Sequence, residues 1–129
     1  MIVDASALLA ILFQEPEAAK FTQTLATANV PRMSAVNYLE AAIRIDGHNN
    51  AIATQAFDAF MALSNITIEP VSVSQMKLAR LAYAQFGKGR HPAGLNFGDV
   101  FAYALAKECG EPLLFKGNDF GLTDVAKVI

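Results

Sequence analysis

The sequence is poor in cysteine and in charge, and it has no long apolar run. Its single cysteine, Cys109, permits neither an internal disulfide nor a cysteine-rich zinc site. No uninterrupted apolar stretch reaches the roughly 18 residues that a membrane-spanning helix needs. The start, Met-Ile-Val-Asp, lacks the basic segment and apolar core of a signal peptide. These absences predict a protein of the reducing cytoplasm with no membrane segment.

The sequence also lacks an excess of basic residues. Twelve Asp and Glu outnumber ten Lys and Arg, so the formal net charge is -2. General nucleic-acid binders carry a basic surplus, and any contact with nucleic acid is therefore expected to be local. What the chain does have is apolar content, at 53% of its 129 residues. This content suits one well-filled core, and the length predicts a single domain over residues 1–129.

Short β-branched runs alternate with longer helical patterns along the chain. Strands are predicted near residues 2–3, 30–33, 66–71, 112–115 and 125–129. Helices fill most of the chain between them, and a loop with three glycines and a proline covers residues 87–95. Alternation of this kind predicts the α/β class, in which helices cover both faces of a parallel sheet.

The apolar spacing also predicts which helix faces point inward. In the helix that follows Ser34, the 3.6-residue period places Leu39 and Ile43 on the buried face. In the helix that ends near residue 86, the same argument places Leu81 inward. Gly47 and Gly110 stand where helices end, and a left-handed C-terminal cap is expected at Gly47.

Polar residues follow three of the predicted strands. Asp4 comes directly after the first strand, Ser34 ends the second, and Asp119 lies in the turn after the fourth. Parallel strands end at one edge of the sheet, where ligands of such folds bind. These residues are therefore predicted to lie on one rim of the molecule.

Two further acids, Glu40 and Asp99, lie within otherwise apolar helical patterns. A buried carboxylate needs a cation or hydrogen-bond donors, and Lys and Arg are scarce near both residues. Four acids on one rim would repel one another unless a divalent cation neutralises them. Ligands that are oxygen atoms only suit Mg²⁺ or Mn²⁺. The pattern thus predicts phosphoryl transfer in which the metal activates a water and stabilises a leaving 3′ oxygen.

Each acid also has a purely structural interpretation, and the pattern leaves both open. Asp4 can be an N-cap, and Asp99 can form a variant capping box with Asn96. Asp119 lies in an ordinary turn sequence, and Glu40 can be a solvated residue on a helix flank. Only the metal interpretation explains all four together.

Four segments resemble a known family, and they occur in its order along the whole chain. They are Met-Ile-Val-Asp4-Ala-Ser6-Ala-Leu, Ser34-Ala-Val-Asn-Tyr-Leu-Glu40, Leu-Asn96-Phe-Gly-Asp99-Val-Phe-Ala-Tyr-Ala-Leu-Ala and Leu-Leu-Phe-Lys-Gly-Asn-Asp119-Phe. The combination resembles the PIN-domain ribonuclease toxins called VapC. The resemblance implies a PIN-like, Rossmann-like three-layer fold whose sheet has about five strands in the order 3-2-1-4-5.

The resemblance further implies an Mg²⁺- or Mn²⁺-dependent endoribonuclease of a type II toxin–antitoxin system. Asp4, Glu40, Asp99 and Asp119 match the catalytic, metal-binding acids of the family. The residues matching supporting positions are Ser6, Ser34, Asn96 and Asn118. Asn118 departs from the pattern, because many relatives have a second aspartate there. The amide still offers a carbonyl oxygen, so we expect weakened binding of a second metal.

An acidic site that accepts RNA needs positive charge nearby. The loop residues Lys88, Arg90 and His91 are the first candidates for phosphate contacts, and Arg32 and Lys116 are weaker ones. Solvated loop residues of no function remain the alternative. The resemblance also implies a VapB-like antitoxin partner, a homodimer, and transfer or ribosomal RNA as the substrate.

Two other classes of protein remain as alternatives. A haloacid-dehalogenase-like phosphatase would need an acid two residues after its first aspartate, and Ser6 stands there. An inactive PIN-like module that only binds a partner is compatible with Asn118. Metal-dependent cleavage of RNA would separate the enzyme from that module.

Overall fold

The computed structural model describes all 129 residues. Its strands are β1 (Ile2–Val3), β2 (Arg32–Ser34), β3 (Thr67–Glu69) and β4 (Leu113–Leu114). Its helices are α1 (Ala5–Leu12), α2 (Ala18–Thr27), α3 (Ala35–Asp46), α4 (Ala51–Leu63), α5 (Val73–Phe86) and α6 (Phe97–Cys109), and a 3-10 helix covers Phe120–Leu122. No helix is long and apolar enough to cross a membrane.

The strands form one parallel sheet in the order β3-β2-β1-β4. Ile2 pairs with Arg32 on one side and with Leu113 on the other. The α/β class and the predicted order of these four strands are confirmed. The predicted number of about five is wrong, because the C-terminal segment contributes only an isolated parallel bridge between Leu113 and Lys127.

The C-terminal segment has too little free chain for a full strand. The 3-10 helix takes up residues as far as Leu122. The carboxylate of Asp124 then accepts hydrogen bonds from Tyr103 Oη at 2.5 Å and Lys107 Nζ at 3.1 Å, which hold this segment against α6. Two backbone hydrogen bonds on Leu113 remain, so the segment pairs with β4 at one point only.

Successive residues of the strands face two separate cores, as the pleat of a strand requires. Ile2 and Leu113 belong to a core that includes α5 and α6. Val3 and Leu114 belong to the core of the other face, which α1, α2, α3 and α4 cover. The result is the predicted three-layer arrangement of helices, sheet and helices.

The predicted buried faces of α3 and α5 are wrong in part. Leu39 and Ile43 are 56% and 61% exposed, and Leu81 is 65% exposed. The buried face of α3 is instead the stripe of Asn37, Ala41 and Ile45, and that of α5 consists of Gln75, Ala79, Ala82 and Phe86. Small and polar residues lie inward because they let these helices approach their neighbours closely, which residue hydrophobicity alone does not indicate.

The two predicted glycine caps behave differently. Gly110 ends α6 with φ 64°, in the left-handed conformation. Gly47 ends α3 with φ -62°, so the prediction of a left-handed cap there is wrong. The chain reverses two residues later, where Asn49 has φ 51°.

Candidate active site

The sheet has two edges, where its strands begin and where they end, and these edges carry different polar residues. We call the edge where the strands end the carboxyl edge; Asp4 follows β1 there and Ser34 ends β2. We call the opposite edge, which holds Met1, Arg32 and Glu111, the amino edge. As predicted, residues from distant parts of the sequence meet at the carboxyl edge.

Asp4 is the most buried acid of the carboxyl edge, with 2% of its surface exposed. It is the N-cap of α1, and its Oδ2 accepts hydrogen bonds from Ser6 N at 3.0 Å and Ser6 Oγ at 2.6 Å. Ser6 Oγ accepts in turn from the backbone N–H of Lys116 at 3.0 Å, which ties the pair to the end of β4. Oδ1 of Asp4 is buried and has no hydrogen-bond partner. The N-cap role is therefore real, but it leaves one carboxylate oxygen free for a ligand.

Asp99 lies in the first turn of α6 and forms a capping box with Asn96. Asn96 N donates to Asp99 Oδ2 at 3.0 Å, and Asp99 N donates to Asn96 Oδ1 at 3.0 Å. The box satisfies two backbone donors at the helix start and fixes the carboxylate at the carboxyl edge. Asn96 thereby positions Asp99.

Glu40 reaches the site from α3, where it is half-buried. A Cβ on Gly98 would overlap the Glu40 carboxylate, so the glycine makes this close approach of α3 and α6 possible. Asn37 lies one turn before Glu40. Its Nδ2 donates to Gly98 O at 2.9 Å and lies 3.4 Å from Glu40 Oε1.

Asn37 is a site residue that the sequence analysis missed. It is fully buried, and its Oδ1 has no hydrogen-bond partner. Its amide holds α3 to α6 at the point where Glu40 meets Gly98. The sequence did contain a signal, namely an asparagine one turn before Glu40. A polar residue on a buried helix face needs hydrogen-bond partners, so this asparagine could have been predicted to have a structural role.

The remaining predicted residues lie around this centre. Asp119 and Asn118 are exposed, and the Asp119 side chain makes no capping hydrogen bond at the start of the 3-10 helix. Ser34 is buried and caps α3 through a hydrogen bond from Val36 N to its Oγ at 3.3 Å.

The acids of the carboxyl edge lie close enough to affect one another's ionisation. Burial raises the pKa of Asp4 to about 6, and the charge of Glu40 adds to the rise. Burial also raises the pKa of Asp99 to about 6, with contributions from Asp4 and Asp119. The pKa of Glu40 is raised by burial and by Asp99. None of these acids forms a salt bridge. The charge of Arg44 partly offsets the rise in the pKa of Glu40, whereas the ionised forms of Asp4 and Asp99 lack a counter-charge.

These residues fit a divalent cation in chemistry, although no three His, Cys, Asp or Glu side chains are already gathered at metal-binding distance. The donor atoms are carboxylate oxygens, which hard cations prefer. Asp4 Oδ1 is a buried acceptor without a donor, which a cation would satisfy. Asp4 and Asp99 are held in place by hydrogen bonds to neighbouring groups. The residues that would hold the ion are Asp4, Glu40, Asp99 and Asp119.

The basic loop after α5 is ordered by its own contacts. Lys88 is exposed, and the Arg90 guanidinium lies 5.7 Å from the ring centroid of Tyr83. His91 packs edge-on against Phe86 with centroids 5.2 Å apart, and its Nδ1 accepts a hydrogen bond from Ala93 N at 3.0 Å. Lys88 and Arg90 are thus the loop residues with accessible charge.

The other two predicted phosphate contacts have acidic partners. Lys116 Nζ forms ion pairs with Glu15 and, at 3.4 Å, Glu17. Arg32 pairs with Glu111 at the amino edge and, at 3.8 Å, with Glu69 at the end of β3. The structure does not bring Arg32 to the carboxyl edge.

The comparisons with known proteins agree on one family. The PIN domain family model matches residues 1–127. Ribonuclease VapC28 of Mycobacterium tuberculosis is 49% identical over 130 residues, covering 100% of this chain and 98% of that protein. Ribonuclease VapC of Mycolicibacterium smegmatis is 47% identical over 128 residues, covering 99% of each chain.

Two solved structures share the fold. The crystal structure of Mycobacterium tuberculosis VapC20, described as a Sarcin-Ricin loop cleaving toxin, matches with a TM-score of 0.78 and 16% identity over 98% of this chain and 97% of that one. A toxin-antitoxin complex from Klebsiella pneumoniae matches with a TM-score of 0.69 and 18% identity over 92% and 88% of the two chains. At these identities the likeness concerns the fold alone.

Proposed function

Because the chain belongs to the PIN-domain family of VapC ribonucleases, we propose that its carboxyl edge is the catalytic centre. The protein is an endoribonuclease and the toxin component of a type II toxin–antitoxin system. The observation that carries the proposed location is the buried, unpartnered Oδ1 of Asp4, at an edge that it shares with three further acids that form no salt bridge. Such an arrangement is costly unless a ligand completes it.

In this proposal the four acids hold a divalent cation, and Mg²⁺ or Mn²⁺ suits their oxygen donors. The chemistry that the bound ion supplies is acidification of water and neutralisation of phosphate charge. Ser6 orients Asp4 through its two hydrogen bonds, and the capping box orients Asp99. Asn37 and Gly98 keep Glu40 against α6. Asn118 contributes less charge than an aspartate would, which favours weak binding of a second ion.

The substrate in this proposal is RNA, with hydrolysis at a phosphodiester bond. Lys88 and Arg90 supply the positive charge that draws a polyanion to an acidic site. His91 extends this basic loop, although its ring is anchored to Phe86 and its Nδ1 accepts from Ala93. Lys116 lies beside Ser6 at the carboxyl edge and would contact phosphate only by leaving its glutamates. We propose transfer or ribosomal RNA as the substrate class.

The proposed partners follow from the same family. An antitoxin neutralises the protein, and two copies form a homodimer that acts in the cytoplasm. The exposed side chains of Leu39 and Ile43 on α3 offer apolar surface for such a contact. A short reading frame directly upstream of the gene would be the expected source of the antitoxin.

The test is cleavage of a structured RNA pool by purified, antitoxin-free protein with Mg²⁺, Mn²⁺ or chelator. The native chain is compared with Asp99→Asn, which keeps the capping interaction but removes the charge. We expect cleavage that needs metal and falls roughly 100-fold or more in the variant, since changes even next to metal ligands cost 10–100-fold. Metal-independent cleavage, or an unaffected variant, would refute the proposed centre. Folded protein that cleaves no RNA would favour the partner-binding module.

A further inference from the structure

A groove between α5 and α6 opens beside the proposed catalytic centre. Its volume is about 580 Å³, and the residues that line it include Arg80, Tyr83, Lys88, Asn96, Phe97 and Phe101. Phe97 is the first residue of α6, two residues before Asp99. The side chains of Phe97 and Asp99 leave α6 on different sides, because residues two apart do not face each other on a helix. The groove and the centre are joined by Asn96, which lines the groove and forms the capping box with Asp99.

Phe97 is unusually exposed for an aromatic residue, at 74%. Its ring packs edge-on against that of Phe101, with centroids 5.1 Å apart and an interplanar angle of 67°. This contact fixes the ring while leaving most of its surface open. The groove thus contains a pre-oriented aromatic face that no part of this chain covers.

The groove is also basic, in a chain whose net charge is -2. Arg80 and Lys88 line it, and no Asp or Glu does. Arg90 lies over the ring of Tyr83, so that ring already has a cationic partner and Phe97 is the free one. An apolar aromatic floor with a cationic rim complements a nucleotide, which combines a flat base with a charged phosphate.

We infer that this groove binds an unpaired base next to the scissile bond, stacked on Phe97, with the adjoining phosphates on Arg80 and Lys88. The inference rests on the proposed function, because it places the base beside the carboxylates that act on the backbone. A paired base is buried in a helical stack and cannot enter such a groove. The groove therefore selects single-stranded or looped RNA over duplex.

The test measures binding by fluorescence anisotropy of a labelled, single-stranded RNA of about ten nucleotides. A matched set of strands carries one abasic residue at each position in turn. Every protein carries Asp99→Asn, so that the RNA stays intact. Phe97→Ala removes the stacking ring, Phe97→Trp keeps one, and Ile52→Ala is the control. Ile52 is 78% exposed on α4, in the helix layer on the other side of the sheet.

We expect Phe97→Ala to weaken binding of the intact strand by roughly 5- to 50-fold, as loss of one stacked base does. Phe97→Trp and Ile52→Ala should bind like the parent. The parent should bind one of the abasic strands more weakly than the intact strand by a similar factor. On that abasic strand, Phe97→Ala should cause no further loss of affinity.

Three results would overturn the inference. One is a Phe97→Ala variant that binds the intact strand like the parent. Another is a Phe97→Ala variant that loses the same factor in affinity on the intact strand and on every abasic strand, together with a Phe97→Trp variant that loses as much. A distorted start of α6, and not a lost stacking contact, would have this effect. The third is a Phe97→Ala variant whose particle mass, measured by light scattering, differs from that of the parent while its RNA affinity does not. That result would make the groove a protein interface.

The outcome is separable from that of the proposed function. If the native chain cleaves RNA with metal but Phe97→Ala has no effect on binding, only the groove inference fails. If Phe97→Ala loses base-dependent binding while the native chain, with Asp99 intact, cleaves no RNA with metal, the groove binds nucleotides and the proposed catalysis fails.

Discussion

The two edges of the sheet place acidic residues in opposite electrostatic settings. At the amino edge Glu111 binds the Met1 ammonium and Arg32, and the hydrogen bond from Met1 is the main reason that its pKa is lowered. At the carboxyl edge Asp4 and Asp99 have no cationic partner, and burial raises the pKa of each to about 6. The acids of the amino edge are paired within the fold, whereas those of the carboxyl edge are proposed to take a cation from outside it.

The contact of Gly98 with Glu40 gives the sharpest test of the carboxyl edge. In Gly98→Ala the new Cβ displaces the Glu40 carboxylate, which lies at the end of a flexible side chain. We expect RNA cleavage to fall by roughly 10- to 100-fold, as for other changes that misplace metal ligands. Thermal stability should change little, because the side chain can swing away and alanine favours the helix.

Gly121→Ala is the matched control for this experiment. Its Cβ would meet only the tip of Lys127, with Nζ at 3.2 Å, and none of the four acids. The rate of RNA cleavage should stay within about twofold of the native rate, because no metal ligand is displaced in this variant. Equal activity of both alanine variants would remove Glu40 from the catalytic account.

A smaller effect concerns stability, where the two edges should respond with opposite signs. Asp4→Asn keeps a good N-cap and removes a buried charge, so at about pH 7.5 the metal-free variant should gain roughly 1–3 kcal/mol in free energy of unfolding. Glu111→Gln breaks ion pairs and should lose about 1 kcal/mol or less. Chemical denaturation of both variants measures the difference.

The pH dependence follows from the sign of each pKa shift. Asp4 titrates higher in the folded protein than in the unfolded chain, where the pKa is 3.8, so its destabilising effect grows as pH rises from about 4 to 6. The gain from Asp4→Asn should therefore shrink at about pH 4.5. The lowered pKa of Glu111 has the reverse effect, and its contribution is lost as pH falls. A gain that is constant with pH would mean that Asp4 is not a buried charge.

Prediction from local sequence was accurate at the helix starts of the carboxyl edge, although the same kind of reasoning failed for the cap at Gly47. Asp4 and Ser34 cap helices directly after strands, as their residue types favour, and Gly110 takes the left-handed conformation. These features depend on a few adjacent residues. They also locate the carboxyl edge, because the parallel strands that precede Asp4 and Ser34 end on the same side of the sheet.

Prediction failed where packing between distant segments decides the structure. Leu39 and Ile43 have the apolar spacing of a buried face, but α3 packs through Asn37 and Ala41 instead. A partner outside the chain would cover such exposed residues, and apolar spacing does not distinguish that surface from the core. The fifth strand failed for a related reason, because contacts of Asp124 with α6 limit the pairing of the chain end.

The most direct test of the central claim is calorimetric titration of Mn²⁺ into metal-free protein. The native chain and Glu111→Gln should bind the ion with equal affinity, because the amino edge takes no part. Asp4→Asn should bind at least about tenfold more weakly, since it loses a charged ligand. Equal binding by Asp4→Asn, or no binding by the native chain, would contradict the assignment of the carboxyl edge as the metal site.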